Sequence, residues 1–486
     1  MTTAPSHAAE APDASHRFDL LAIPGLSALL MRRRWMQVPL LFVSIVLIVH
    51  GFAGPQLAPY NLATLVGWVH SRGLLVLGLL VVGNVFCMAC PFMIPRDLAR
   101  RLHVPRMTWP RALRGKHVGI ALFVGVLFVY EWLDLWGDPL GTAWLLLGYF
   151  ALVVLVDAFF KGAPFCKSVC PIGQFNFTAS ALSPFEVVAR DADVCASCSG
   201  HECLRGASDA LQPATIVARG CETGLFLPEK VGNMDCTFCL DCARACPHDN
   251  VGLVARLPGD ELSDERSGAG VGRRSQRTDL ALLATVFTFG ALLNAFGMVS
   301  PVYAVQRWIA GQMGTTSEGA VLLVLFASLL VVEPVLLLGL AAAATRRALP
   351  RREPLVAVAA RFAHGLVPLG FGVWLAHYGF HLLTGLWTFV PVTQKAVLDT
   401  FGTALLGAPQ WDRGGLSTRA VQPIEMGLLL LGAVGSLGVL WAIAKNQAPA
   451  RPRAAFAPWA VLTSVLFAAA VWLMAQPMEM RGTFLG

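Results

Sequence analysis

Three of the cysteines in Cys236-Thr-Phe-Cys239-Leu-Asp-Cys242-Ala-Arg-Ala-Cys246-Pro247 are close enough along the chain to reach three irons of one cube. The fourth lies beyond a helical turn that Pro247 ends, and is spaced to reach a neighbouring cluster. The pattern C-x2-C-x2-C-x3-C-P is highly specific for a cubane [4Fe–4S] centre. The alternative, a structural zinc site with four cysteine ligands, wants two CxxC knuckles and fits this spacing poorly. Upstream, Cys195-x2-Cys198-x4-Cys203 and the isolated Cys221 form a looser copy, with a longer second spacing and Glu222 in the place of proline. The chemistry implied is electron transfer through sulfur-ligated iron, with the thiolates as ligands and not as nucleophiles.

By the crossed wiring of two-cluster ferredoxins, Cys195, Cys198, Cys203 and Cys246 hold one cluster and Cys221, Cys236, Cys239 and Cys242 the other. His201 and His248 neighbour these ligands and are read as ordinary loop residues. A second feature is a pair of motifs at helix ends, Cys87-Met-Ala-Cys90-Pro91 and Cys166-Lys-Ser-Val-Cys170-Pro171. Their four thiolates are candidate ligands of a third iron centre, because polarizable sulfur suits iron. The competing reading is small buried cysteines that pack helix ends.

The elements that must position these residues follow from composition. The 486 residues are 56% hydrophobic and 14% charged, with a mean hydropathy of +0.61, too apolar for a soluble chain of this size. Apolar runs long enough to cross ~30 Å of hydrocarbon flank a polar stretch at about 190–277. Nine spans are expected: 38–53, 73–90, 118–133, 142–160, 280–299, 320–344, 365–390, 426–444 and 458–475. The organisation expected is a cytoplasmic segment 1–35, a four-helix membrane domain 36–185, a cytoplasmic two-cluster domain 186–278 and a five-helix membrane domain 279–486. The fold class is therefore mainly α: a polytopic membrane protein of about nine transmembrane helices with an inserted ferredoxin-like α+β domain.

Basic residues set the orientation. The loop after the second span carries Arg96, Arg100, Arg101, Arg106, Arg111, Arg114 and Lys116, and its neighbours carry almost none. Arg273, Arg274 and Arg277, then Arg346, Arg347, Arg351 and Arg352, then Lys445, Arg451 and Arg453 fall on the same side. The N-terminus and all cysteines are expected in the cytoplasm and the C-terminus outside, and residues 1–15 lack a signal-peptide pattern. In a reducing compartment, metal ligation takes precedence over disulfides. The net charge of +7 is accounted for by topology, and nucleic acid is excluded as a partner by the lack of a basic, aromatic surface segment.

At these residues the chain resembles the NapH/NosR/CcoG type of membrane-bound polyferredoxin. That type combines transmembrane helices, two Cys-x3-Cys-Pro motifs at helix ends and a cytoplasmic two-cluster domain. The resemblance covers about residues 32–257. Residues 166–171 fit the motif as they stand, and residues 87–91 are one residue short. The resemblance implies a bacterial inner-membrane protein that carries electrons from the quinol pool towards a periplasmic cytochrome, reductase or other respiratory redox subunit, or its assembly system. In the CcoG branch it implies copper handling for a terminal oxidase. The chain lacks the flavin-bearing domain of the NosR type and the soluble C-terminal domain of the CcoG type, and its last five spans exceed the NapH type.

Ionisable residues in membrane segments are the remaining candidates. His50 near the outer end of the first span, His70 with Arg72 at the outer start of the second, and Glu131 with Asp134 at the outer end of the third could accept protons from a quinol. The plainer reading is interfacial residues that meet water. His377 and His381 share one face of the seventh span and are candidates for quinone binding. Haem b is disfavoured, since spans five, six, eight and nine supply no second histidine. The reading that results is a membrane iron–sulfur electron-transfer protein of the quinol-dehydrogenase kind. Its rivals are a metal-reducing assembly factor and a transporter with a regulatory iron–sulfur domain.

Overall fold

The structure is a computed structural model that describes residues 17–208, 216–266 and 272–478. The first half of the expected N-terminal segment, residues 1–16, lies outside the described residues. The chain is mainly helical. Among the described residues, eight helices are long and apolar enough to cross a membrane: α1 (Arg34–Ala53), α2 (Leu62–Val82), α5 (Pro139–Phe159), α6 (Thr278–Phe296), α7 (Glu318–Arg346), α8 (Leu355–Thr384), α9 (Thr418–Gln447) and α10 (Pro452–Met474). Between α2 and α5 lie an amphipathic helix, α3 (Met93–Leu102), and an apolar one, α4 (His117–Trp132). Helix α4 stands where a third span was expected but has 16 residues, short of the ~20 that a span usually needs.

The second span departs from expectation. It covers Leu62–Val82 and not 73–90, because Gly83, at φ +79°, breaks the helix there. A side chain at this position is excluded twice: by the left-handed backbone, and by crowding, since a Cβ would stand 2.7 Å from the Phe238 ring. Cys87 therefore lies on a separate turn, Val85–Met88, and His70 and Arg72 lie mid-helix. Helix α8 likewise begins ten residues before the expected 365. Arg361, a charge that masked this start, is held by Glu265 at 2.9 Å and Glu353 at 3.0 Å.

The helices of the two membrane segments pack on one another. Helices α6 and α8 are buried over 78% and 83% of their most apolar stretch, against 17% for α1. The core of the helical region thus runs along α8, with α9 against it where Gly372 and Gly432 meet, small residues letting two backbones approach. Helix α2 packs on the other flank of α8, with Gly73 against Leu382 and the Tyr378 carbonyl. At the far end of the bundle, Ser300 N donates to Pro477 O at 3.4 Å, so the ends of α6 and α10 lie together.

The polar module sits at the opposite end. Strand β1 (Phe185–Ala189) pairs antiparallel with β4 (Val251–Ala255), Phe185 opposite Ala255, and the short β2 (Ala207–Ser208) pairs with β3 (Ile216–Ala218). The chain from residue 17 onward joins this module: Asp19 bridges to Val254 and accepts from Leu253 N at 3.0 Å and from Arg190 at 2.8 Å.

Candidate functional site

All twelve cysteines are free thiols, and the fold gathers them into three groups of four. In the first, Cys195, Cys198, Cys203 and Cys246 line one cavity of ≈370 Å³, together with His201, His248 and Asn250. The β1–β4 pair makes this meeting possible by bringing Asp191 beside Asn250. Asp191 N donates to Asn250 Oδ1 at 2.9 Å, and Asn250 Nδ2 donates to Cys195 Sγ at 3.3 Å. Asp191 also caps the helix Ala192–Ser197 that carries Cys195.

The second group is Cys221, Cys236, Cys239 and Cys242, which lie within electrostatic range of one another. Phe238 and Leu240 adopt left-handed φ of 54° and 58°, and the Phe238 and Asp241 N–H groups point at the Cys236 and Cys239 sulfurs. Each of these N–H groups favours the charged form of the sulfur it meets. Leu225 N donates to Cys221 Sγ at 3.4 Å. Arg33 and Arg244 donate to the Cys239 carbonyl at 3.1 and 3.0 Å.

Burial pushes the Cys236 thiol up to about 11 and raises Cys239 and Cys242 as well. Reactive nucleophilic cysteines need the opposite shift, so these thiols are poor nucleophiles and become thiolates only with a compensating cation.

The third group joins the two helix-end motifs. Cys87 and Cys90 come from the Val85–Met88 turn and the residues after it, and Cys166 and Cys170 from the π-turn Phe165–Val169 and its end. All four line a cavity of ≈620 Å³ that Cys239 also reaches. Asn176 Nδ2 donates to Cys87 Sγ at 3.3 Å, and Gly173 N, in the first turn after Pro171, donates to Cys170 Sγ at 3.2 Å. Cys203 of the first group lies within electrostatic range of Cys242, and Cys236 within range of Cys87. The three groups form a row from the solvent-facing module to the helix ends. Among the described residues, no group of three or more Cys, His, Asp or Glu is placed to hold a single metal ion.

One ion-pair network behind these groups was missed in the sequence. Arg96, fully buried, lies 2.8 Å from Glu222, 2.9 Å from Asp97 and 3.5 Å from Asp157, while Arg100 and Arg219 approach Glu222 at 3.2 and 3.4 Å. Glu222, in the place of the expected proline, thus fastens Cys221 to α3 and α5. Lys116 makes a second tie, bonding Asp235 beside Cys236 and the Lys167 carbonyl beside Cys166.

The membrane histidines separate. His50 Nδ1 accepts from Leu62 N at 3.2 Å and links the end of α1 to the start of α2. His70, buried mid-helix, faces the Leu65 and Gly385 carbonyls at 3.2 and 3.1 Å, which ties α2 to the end of α8. Both have local structural roles. Glu131 lines a different cavity of ≈260 Å³ with Asn294 and Gly297. His377 and His381 do come together, with ring centroids 5.0 Å apart. Both ring nitrogens of His377 and Nε2 of His381 are buried with no hydrogen-bond partner among the described residues. His381 also meets Trp136 at 4.9 Å. Beside them Arg72 lies over the rings of Trp68, Tyr130, Trp136 and Tyr378 at 4.7–5.4 Å and bonds Tyr130 Oη at 3.2 Å.

No protein-family model, curated protein or solved structure matches the chain.

Proposed function

We propose that this chain is a membrane-integral iron–sulfur electron-transfer protein of the polyferredoxin kind. It crosses a bacterial inner membrane nine times, the eight long helices being joined by the 16-residue α4 as a short ninth crossing, with the module cytoplasmic and the C-terminus outside, and relays electrons between the quinone pool and a respiratory redox partner. The observation that carries this reading is the collection of the twelve cysteines into three groups of four, each drawn from separate segments and arranged in a row. Cys195, Cys198, Cys203 and Cys246 would hold one [4Fe–4S] cluster and Cys221, Cys236, Cys239 and Cys242 the second. Cys87, Cys90, Cys166 and Cys170 would hold a third iron centre. One-electron transfer is the chemistry such clusters supply when bound.

What supports iron–sulfur ligation is the donor chemistry: each group offers four thiols, the soft ligands that such clusters use. The chain's own part is to present the thiols, donate hydrogen bonds to sulfur from Asn250, Asn176, Leu225 and Gly173, and exclude water, all of which set the reduction potential.

The seam between α2 and α8 is the place for a quinone head group. Buried polar groups are almost always paired, and His377 and His381 offer unpaired ring nitrogens that can take the proton of a quinol hydroxyl or return it. Arg72 holds its charge among the aromatic rings beside them. The test is to add a quinol to the anaerobic, oxidised protein and follow the cluster absorbance. Bleaching that is lost in His377→Phe with iron content unchanged is the expected result. Clusters that neither quinol nor quinone changes would overturn the quinone assignment and favour the metal-reducing rival.

A further inference from the structure

We infer that the arginine-lined cleft at the start of α1 binds the phosphate of an anionic phospholipid headgroup. The cleft, ≈730 Å³ and open, is lined by Arg32, Arg33, Arg34, Arg101, Arg219 and Arg244, with Asp97 and Asp241 as its acids. Those two carboxylates are already shared by four of the arginines. Arg33 lies 3.0 Å from Asp241, which Arg244 also bonds, and Arg219 lies 3.1 Å from Asp97, which also pairs with Arg34. Arg32 and Arg101 have no ion-pair partner among the described residues, and both are exposed. Asp97 also pairs with Arg96 and Arg219 also meets Glu222 at 3.4 Å, so seven cations stand against three anions, a local excess of four charges beside one concave space and a donor set suited to phosphate oxygens.

Its position selects a lipid as the source of that phosphate. Trp35, Val38, Phe42, Ile45 and Val49 are all exposed, 48–67%, and their spacing puts them on one stripe of α1. This is a lipid-facing stripe, and Arg34 lies at its cleft end. Leu98 and Leu102 of α3, at 57% and 83% exposure, add apolar surface beside Arg101. Acyl chains along α1 would bring their headgroup into the cleft, the arrangement that basic pockets at helix ends use for anionic lipids. The site stands whatever the thiols hold.

The test uses the full chain in neutral detergent. Its melting temperature is measured with added phosphatidylglycerol, with phosphatidylcholine and with inorganic phosphate, for the native protein, for Arg32→Gln/Arg101→Gln and for Arg111→Gln/Arg114→Gln. The first pair removes only cleft arginines that make no ion pair, and the second removes equal charge outside the cleft. A rise with phosphatidylglycerol alone, lost in the first pair and kept in the second, is the expected result. No rise in the native protein, or equal loss in both pairs, overturns the site. An equal rise with inorganic phosphate overturns the assignment to lipid.

Discussion

Glu222→Gln, alone and combined with Arg96→Met, should expose a buried ion-pair tie between the thiol-bearing module and the helices. Arg96 has no solvent exposure and three carboxylate neighbours, the nearest being Glu222 at 2.8 Å. Removing one partner of a buried pair costs about 3–5 kcal/mol, because the remaining charge is left under-compensated. Asp97 and Asp157 stay in place, so the expected cost of Glu222→Gln is at the lower end, about 3 kcal/mol. Arg96→Met keeps most of the bulk and removes the charge, leaving Asp157, also fully buried, to Arg100 at 3.8 Å. Its cost should be similar. The double variant loses both ends of the pair, and the cycle should return a coupling of about 2 kcal/mol, above the 1 kcal/mol ceiling of exposed pairs. The assay is a urea titration of the four proteins in one mild detergent, with equal iron loading. A coupling below about 0.5 kcal/mol would refute the account of Glu222 as the anchor.

Three further outcomes follow from single sites. Burial alone would raise Asp97, but Arg96 and Arg219 hold it down to about 2. A depressed carboxyl stabilises the fold above its unfolded value near ~3.9, so about 2 kcal/mol should be lost as pH falls from about 4 towards 2, and Asp97→Asn should flatten that limb of a stability–pH curve. Asn250→Leu removes an N–H donor from Cys195 Sγ and should lower the potential of one cluster by on the order of 40 mV in a redox titration. An unchanged potential would count against ligation at Cys195. His377→Phe removes two buried, unpaired ring nitrogens and should raise stability by about 1 kcal/mol while quinol oxidation is lost. A destabilised variant would mean that the imidazole is a packing element with partners.

The sequence made the helical architecture and the thiol inventory legible because both are local signals: apolar runs of fixed length, and cysteines at fixed spacing. The long apolar runs appear as helices, α2 and α8 starting about ten residues before their expected positions, and Cys195, Cys198, Cys203 and Cys246 line one cavity. What was not legible depends on contacts between distant segments. Nothing around Arg96 announces that Glu222, more than a hundred residues later, will neutralise it. The break at Gly83 reads as one more small residue in an apolar run, and it takes the left-handed backbone and the Phe238 ring pressed against it to explain the glycine. His50 and His70 resembled a pair at a membrane surface. The backbone groups they serve, Leu62 N and Gly385 O, belong to packing that no periodicity encodes. Arg72 was noticed only as a neighbour of His70, because a cation enclosed by four aromatic rings from three segments has no linear signature.

The most direct test of the central claim is the iron and acid-labile sulfide content of the anaerobically purified chain, with its zinc content. About eight irons and eight sulfides per chain are expected from the two module quartets, and more if Cys87, Cys90, Cys166 and Cys170 also bind. Zinc in place of iron, or no metal in a folded chain, would contradict it.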